Sequence, residues 1–384
     1  HTHSKVDAAL QINNTIIVQS WEYGKQLGIL DIIYEDGHVS LKNYHPMEIN
    51  DTIRGDADNS KQIETFEGEI SRRVLAAEGL SFREIIAETD FDLVLQTDES
   101  NLGNLIADSM RWYINQFDND PSNPPARPLV SVISNGVIRD PIVKGQSGQI
   151  AVCDAFRAIP LGIGFDEAQT MGYPLISIYV FPSEFKKALE ILTSIYPLKG
   201  SDYFIQFSGA KFTYNPHRMI FDRVTDIWLG DEENGYQQLD YSKSNRTLIR
   251  IGADIYNATF LKVIGDYTWQ ILKIVPKDRN GSPIDDLKRM RIDADRKKPG
   301  IQELKEWQAV IAYIKNFPDT DGNDLPNVAD KYRGKLGRHV VEASWNPYHL
   351  LRHGNYITWL TFAALLTGAF ILLIIVRFFV KKIG

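Results

Sequence analysis

The chain has 384 residues, 43% hydrophobic and 24% charged, with 42 Lys and Arg against 49 Asp and Glu for a net charge of −7. That composition is globular, and the length suits one large domain or two ordinary ones. The negative balance and the lack of any Lys/Arg-rich stripe argue against nucleic acid as a partner, because binding a phosphate backbone needs a basic surface that releases counterions.

The chain opens on His1-Thr2-His3, two potential metal ligands one residue apart, with no initiator Met and no signal peptide. The expectation is a fragment of a longer precursor. Residues 15–19 and 28–34 read as two strands joined into a hairpin by the turn-rich Trp21-Glu22-Tyr23-Gly24. Residues 45–82 are polar, with Ile63, Phe66, Ile70, Val74 and Leu75 at helical spacing, which predicts a connecting helix. A strand over 84–88 follows, then a helix over 101–117 that buries Leu102, Leu105, Ile106 and Met110. Four prolines make 121–128 a loop, and Leu129-Val130-Ser131-Val132-Ile133 is an apolar strand ending in Ser134-Asn135-Gly136. Strand-to-loop transitions of that kind are where α/β proteins place ligands.

Cys153 is the only cysteine, which excludes an intrachain disulfide and a Cys-x-x-Cys site and leaves it as a small buried hydrophobe. Residues 185–196 predict an amphipathic helix, 203–214 and 247–255 strands, and 302–317 a last helix with Leu304, Trp307, Ile311 and Ile314 on one face. Mixed elements without a repeating βα unit give an α+β class. Residues 356–376 hold no charge; about 21 residues at ~1.5 Å each match a bilayer's hydrocarbon core. Trp345, Tyr348, Tyr356 and Trp359 precede this run and Arg377, Lys381 and Lys382 follow it, so the expected topology is a single-pass protein with residues up to about 350 periplasmic or extracellular and the C-terminus cytoplasmic.

Four segments, residues 1–3 with 15–28, 99–108, 133–139, and 159–162 with 255–259, resemble in this order the 5'-nucleotidase family. His1-Thr2-His3, with the strands after it, resembles the last metal motif and terminal strands of a metallophosphatase domain; the resemblance implies His1 and His3 as ligands in a site of two divalent ions, Zn, Mn or similar. The run 99–108 is similar to the opening helix of the family's C-terminal domain, with Asn101 as its cap and Gly103 permitting close packing. The arginine that the family carries just upstream is absent from Leu95-Gln96-Thr97-Asp98. Residues 133–139 look like the family's strand-loop, in which Asn135, Gly136 and Arg139 reach the nucleotide. Arg139 is the best candidate for a two-bond contact to an oxyanion or base edge. Finally, Leu161 and Tyr256 fall where the family places two rings that sandwich the base. Tyr256 keeps a ring for stacking, Leu161 does not, and Asp266 lies in a shortened form of the run that follows the second ring. Residues 204–214 resemble the family's central strand.

The resemblance therefore implies a remnant of a metallophosphatase domain over 1–44, a linker helix over 45–82, a substrate-binding domain over 83–320, a juxtamembrane segment over 321–354, a membrane helix over 355–380 and a tail over 381–384. Its implied function is a membrane-anchored phosphohydrolase of nucleotides or related phosphate esters, with the metals complete only in the full-length protein. The chain is called an enzyme only if that upstream half is present. The alternative is an inactive member that docks or binds as a subunit of a membrane complex. No Ser-His-Asp set, P-loop or dinucleotide fingerprint offers a different chemistry.

Overall fold

The computed structural model describes residues 4–50, 52–117, 129–166, 169–259 and 274–383. The chain divides into two units, residues 1–73 and 74–384.

In the first unit, β1 (Leu10–Ile12) pairs antiparallel with β2 (Thr15–Ile17), and β3 (Gln26–Glu35) with β4 (His38–Glu48). The two strands expected from sequence exist, but each takes a different partner. The reason lies in the turns. Asp36 and Gly37 both have positive φ, 48° and 82°, the two-residue arrangement whose twist matches that of the flanking strands and which Asp-Gly adopts readily. That turn closes β3 onto β4, and β2 pairs with β1 instead. Helix α1 (Ala57–Ile70) begins at Asp56, whose side chain accepts from the amides of Asp58 and Asn59 at 3.1 and 2.9 Å. Its apolar stripe is open, Ile63 and Phe66 being 51% and 64% exposed.

The second unit runs β5 (Ile85–Glu88), α2 (Asn101–Phe117), β6 (Leu129–Ser134), β7 (Gln149–Ala151), α3 (Val152–Ala158), β8 (Leu175–Val180), α4 (Pro182–Lys199), β9 (Ile205–Ser208), β10 (Ala210–Tyr214), β11 (Val224–Asp231), β12 (Gly235–Gln238), β13 (Ile249–Asp254), α5 (Glu306–Lys315), β14 (His339–Val341) and α6 (Tyr356–Ile383). One mixed sheet has the order β8-β13-β6-β9, with β13 and β6 parallel; a second has the order β12-β11-β10-β14, with β10 and β14 parallel. Alternation along β6 shows why the first sheet is covered on both faces: Leu129 and Ile133 join a core with α2, α3 and α5, while Val130 joins one with α4, β10 and β11. Mixed sheets with helices at their faces are the α+β class expected from sequence.

Helix α2 buries Leu102, Leu105, Ile106 and Met110 completely. Its cap is Ser100, whose Oγ accepts from the Gly103 amide at 3.1 Å, and not Asn101. Asn101 instead ties three segments together, accepting from the Val94 amide at 2.9 Å and donating to the carbonyls of Asp92 and Tyr332 at 2.9 Å each. Gly103 does permit close packing, since a Cβ there would lie 2.4 Å from Gln206. The single strand expected over 203–214 is two strands in two sheets. Gly209, at φ 84°, turns the chain between them where a Cβ would meet the Leu129 carbonyl oxygen at 2.3 Å. The last helix starts at Glu306, later than 302, because Leu304 and Lys305 are extended and bridge to Leu175 and Pro174.

Residues 321–354 are built into the domain: β14 extends the second sheet, and Arg338 just before it is 1% exposed. Its guanidinium pairs with Asp108 of α2 at 2.8 Å and Glu232 at 2.9 Å and donates to the Phe207 carbonyl at 2.6 Å. The Tyr332 hydroxyl donates to Asp108 at 2.7 Å. Glu99 accepts from the amides of Arg338 at 3.1 Å and His339 at 3.3 Å; burial opposes its charge, but interactions with His339 and the Arg338 amide bring its pKa down to about 2. Replacing Arg338 by Met should lower the unfolding free energy by about 3–5 kcal/mol, because two carboxylates lose their buried cation. Lys335→Ala, which removes an exposed pair with Asp98, should cost under ~1 kcal/mol. Urea unfolding of the two variants checks this, and equal losses would contradict it.

Candidate functional site

Because β6 and β13 are parallel neighbours, with Ala253 opposite Val132, their carboxyl ends lie at one edge of the sheet. That edge is where open sheets hold ligands. β6 delivers Asn135 and Gly136 to it, and β13 delivers Ile255 and Tyr256. Residues 255–259 turn at once into helix, and Asp254 at the end of β13 is fully buried.

Tyr256 is 42% exposed and stacks on Tyr173, ring centroids 5.2 Å apart and planes 15° from parallel. Tyr173 is held by a folded-back loop, in which its amide donates to the Leu161 carbonyl at 3.1 Å and the Gly172 amide to the Gly162 carbonyl at 2.9 Å. A Cβ on Gly162 would lie 2.3 Å from the Tyr173 ring, so glycine is what lets that ring lie flat against the backbone. The pair forms part of the wall of an open cavity of about 750 Å³, whose other lining includes Phe165, Lys288 and Asp286. Lys288 Nζ stands 4.4 Å over the Phe165 ring and the Arg291 guanidinium 5.6 Å from it, so two cations share one aromatic ring. Arg291 and Lys305 both pair with Glu303.

Two acids lie beneath. Asp254 accepts from the Asn257 amide at 2.8 Å and also from that residue's side chain, yet burial raises its pKa to about 6. Glu306, at the first position of α5, is fully buried with both carboxyl oxygens unpartnered; burial first, and then the charge of Asp254, raise its pKa well above the carboxylate range.

The residues singled out from sequence do not form one cluster. Tyr256 lines the cavity; Leu161, half-buried, contributes a backbone carbonyl and not a wall. Asn135 reaches the right sheet edge, but its side chain donates to the Gln96 carbonyl at 2.9 Å and accepts from Gln206 at 2.7 Å. Gly136 donates to the Asp202 carbonyl at 3.0 Å. Arg139 is exposed, its amide on the Ala158 carbonyl at 2.9 Å, and is not part of the cavity wall. His1, His3 and Asp266 lie outside the described residues. Sequence reading missed Tyr173, Phe165 and Lys288. Tyr173 is 83 positions from its ring partner, and only Gly162 and Gly172 marked the loop that brings it there.

The family model of the 5'-nucleotidase C-terminal domain matches residues 82–246. Rat 5'-nucleotidase is 28% identical over 217 residues, 55% of this chain and 34% of its own length. The snake venom 5'-nucleotidase of Crotalus adamanteus is 24% identical over 285 residues, 68% of this chain and 45% of its own. The chain thus spans less than half the length of these relatives. Among solved structures, a 5'-nucleotidase precursor from Thermus thermophilus aligns over 86% of this chain and 52% of its own at a TM-score of 0.52 and 21% identity. A sulfate thiohydrolase from the same organism aligns over 90% and 49% at 0.51 and 15%. Residues 82–246 therefore match the 5'-nucleotidase C-terminal domain, and the chain shares its fold with these structures.

That family uses divalent metals. Among the described residues no group of three or more His, Cys, Asp or Glu is placed to hold one, so no metal chemistry is assigned to them.

The buried acids give the site a pH signature. With a folded pKa of about 6 against an ordinary 3.8, Asp254 holds its proton longer in the folded state. Its stability contribution is therefore full below pH 4 and lost as pH rises through 6; Glu306 acts in the same sense. Asp254→Asn should become more stable relative to the parent by about 3 kcal/mol between pH 4 and 7, at ~1.4 kcal/mol per unit. Urea unfolding at the two pH values reads this, and a pH-independent difference would contradict it.

Proposed function

We propose that this chain supplies the nucleotide-binding domain of a membrane-anchored, exoplasmic phosphohydrolase that cleaves nucleotides or related phosphate esters with metal assistance. The observation that carries the reading is the Tyr256–Tyr173 pair on the cavity at the carboxyl edge of the sheet, within a chain that matches the 5'-nucleotidase C-terminal domain. A flat ring partly open to a cavity offers sequence-tolerant stacking to a base, worth about 1–3 kcal/mol, and Lys288 on the same wall offers a cation to phosphate.

The two rings now fill each other's faces. A base between them needs a separation of roughly 7 Å, twice a van der Waals contact of ~3.5 Å, so binding a sandwiched base displaces Tyr173. On this reading the metal ligands include His1 and His3, which lie outside the described residues, in a metal-holding domain. Residues 1–44 are read as the end of that metal-holding domain. Membrane anchoring is supported by one helix, Tyr356–Phe378, long and apolar enough to cross a bilayer, with the aromatic residues before it and the basic residues after it setting the C-terminus inside.

A second reading is favoured by one observation: the ring pair is closed and Leu161 brings no aromatic side chain to the cavity. On that reading the domain is a docking or binding subunit of a membrane complex. Phosphate release from AMP, UDP-glucose and a generic phosphomonoester, with added Mn or Zn and native full-length protein, separates the two. The hydrolase reading expects metal-dependent turnover of a nucleotide, with KM raised about 10-fold or more by Tyr256→Ala and kcat little changed. No turnover of any substrate leaves the docking subunit.

A further inference from the structure

The helix proposed to cross the membrane does not hang from a free tether. Its first turn is bonded into the loop between β10 and β11, at a pair buried in the domain, Arg218 and Asp222, whose side chains are 1% and 0% exposed and 3.0 Å apart. Arg218 Nη1 donates to the carbonyls of His349 and Arg352, both at 2.8 Å. Asp222 Oδ2 accepts from the Asn355 amide at 3.1 Å and from the Thr358 hydroxyl. The Asn355 side chain donates to the Phe221 carbonyl at 2.7 Å. Earlier in the segment, Asn215 bonds the Ser344 carbonyl at 2.9 Å, and His217 stacks on Trp345 at 4.1 Å. Around this junction the surface is apolar and aromatic: Ile220, Trp345, Tyr348, Tyr356 and Trp359 are 43–72% exposed.

We propose that the loop 215–223 and the segment 344–359 form one membrane-docking face, which seats the domain on the headgroup layer of the bilayer its own helix crosses. The proposal rests on that helix spanning the bilayer. Tyr356 and Trp359, amphipathic rings at the start of an apolar helix, set the level of the water–lipid interface. Groups hydrogen-bonded to residues 355 and 358 must then sit within a few ångströms of that level. Ile220, Trp345 and Tyr348 enter the headgroup layer there, while Arg352 and His349 meet lipid phosphate. The occupant is lipid because the surface is continuous with the spanning helix. The domain, and with it the cavity, is held in a fixed orientation close to the membrane.

The test uses the full chain in a Cys153→Ser background, reconstituted in phosphatidylcholine nanodiscs. A single cysteine carrying an environment-sensitive fluorophore is placed at Ile220, Trp345, Asn234 or Phe370. Asn234 lies at the far end of β11, about 25 Å along the strand from the loop. Headgroup nitroxide lipids should quench labels at 220 and 345 at least twofold more than at 234, and deep-chain nitroxide should quench the label at 370. Adding Asn355→Ala with Thr358→Val should drop quenching at 220 to the level at 234 and leave 370 unchanged. Equal quenching at 220, 345 and 234 with 370 still quenched overturns the docking face alone. An unquenched 370 overturns the spanning helix on which it rests.

Discussion

The second unit is organised around one buried cation. Arg338 binds an acid from α2, an acid from the β11–β12 turn and a backbone carbonyl at the end of β9, and its own amide is fixed by Glu99 just ahead of α2. Burying a guanidinium is costly, and several aligned acceptors offset that cost. By satisfying them it locks the helix layer to both sheets and lays β14 beside β10. The same stretch of chain then leads to the loop 215–223 and the apolar helix.

The site carries the opposite electrostatic arrangement. Among the described residues Asp254 and Glu306 have few partners and no cation seated on their carboxylates, and their pKa values are raised. They lie next to the cavity edge where a strand end, a glycine-supported ring and a partly exposed tyrosine meet. Strain and unsatisfied groups concentrate at functional sites while the rest of a domain is well satisfied. The two acid clusters, one neutralised and one not, thus contrast within a single domain.

Local signals were legible in the sequence where they were long and periodic. Helix α2 was read with its true bounds, because seventeen residues carry an apolar stripe that only a 3.6-residue period explains. The apolar helix at 356 was equally plain. Pairing was not legible: strands β2 and β3 were placed, yet the Asp36-Gly37 turn decided their partners. Residues 203–214 read as one strand because a single glycine was the only mark of the change of sheet. Of the site, Tyr256 came from the family resemblance. Tyr173 stayed hidden because stacking across 83 positions is a product of sheet order and loop closure, and neither is written in any local pattern. Asn101 and Asn135 were named for local or ligand roles, but both bind distant backbone, which no local reading reveals.

The central claim is that the Tyr256–Tyr173 pair is a nucleotide site that opens for its base. A structure of the full-length protein with bound AMP tests it most directly. The account predicts adenine stacked on Tyr256, with Tyr173 displaced from its 5.2 Å partner position and the phosphate extending from the cavity. Adenine bound elsewhere, with the two rings still stacked on each other, would contradict it.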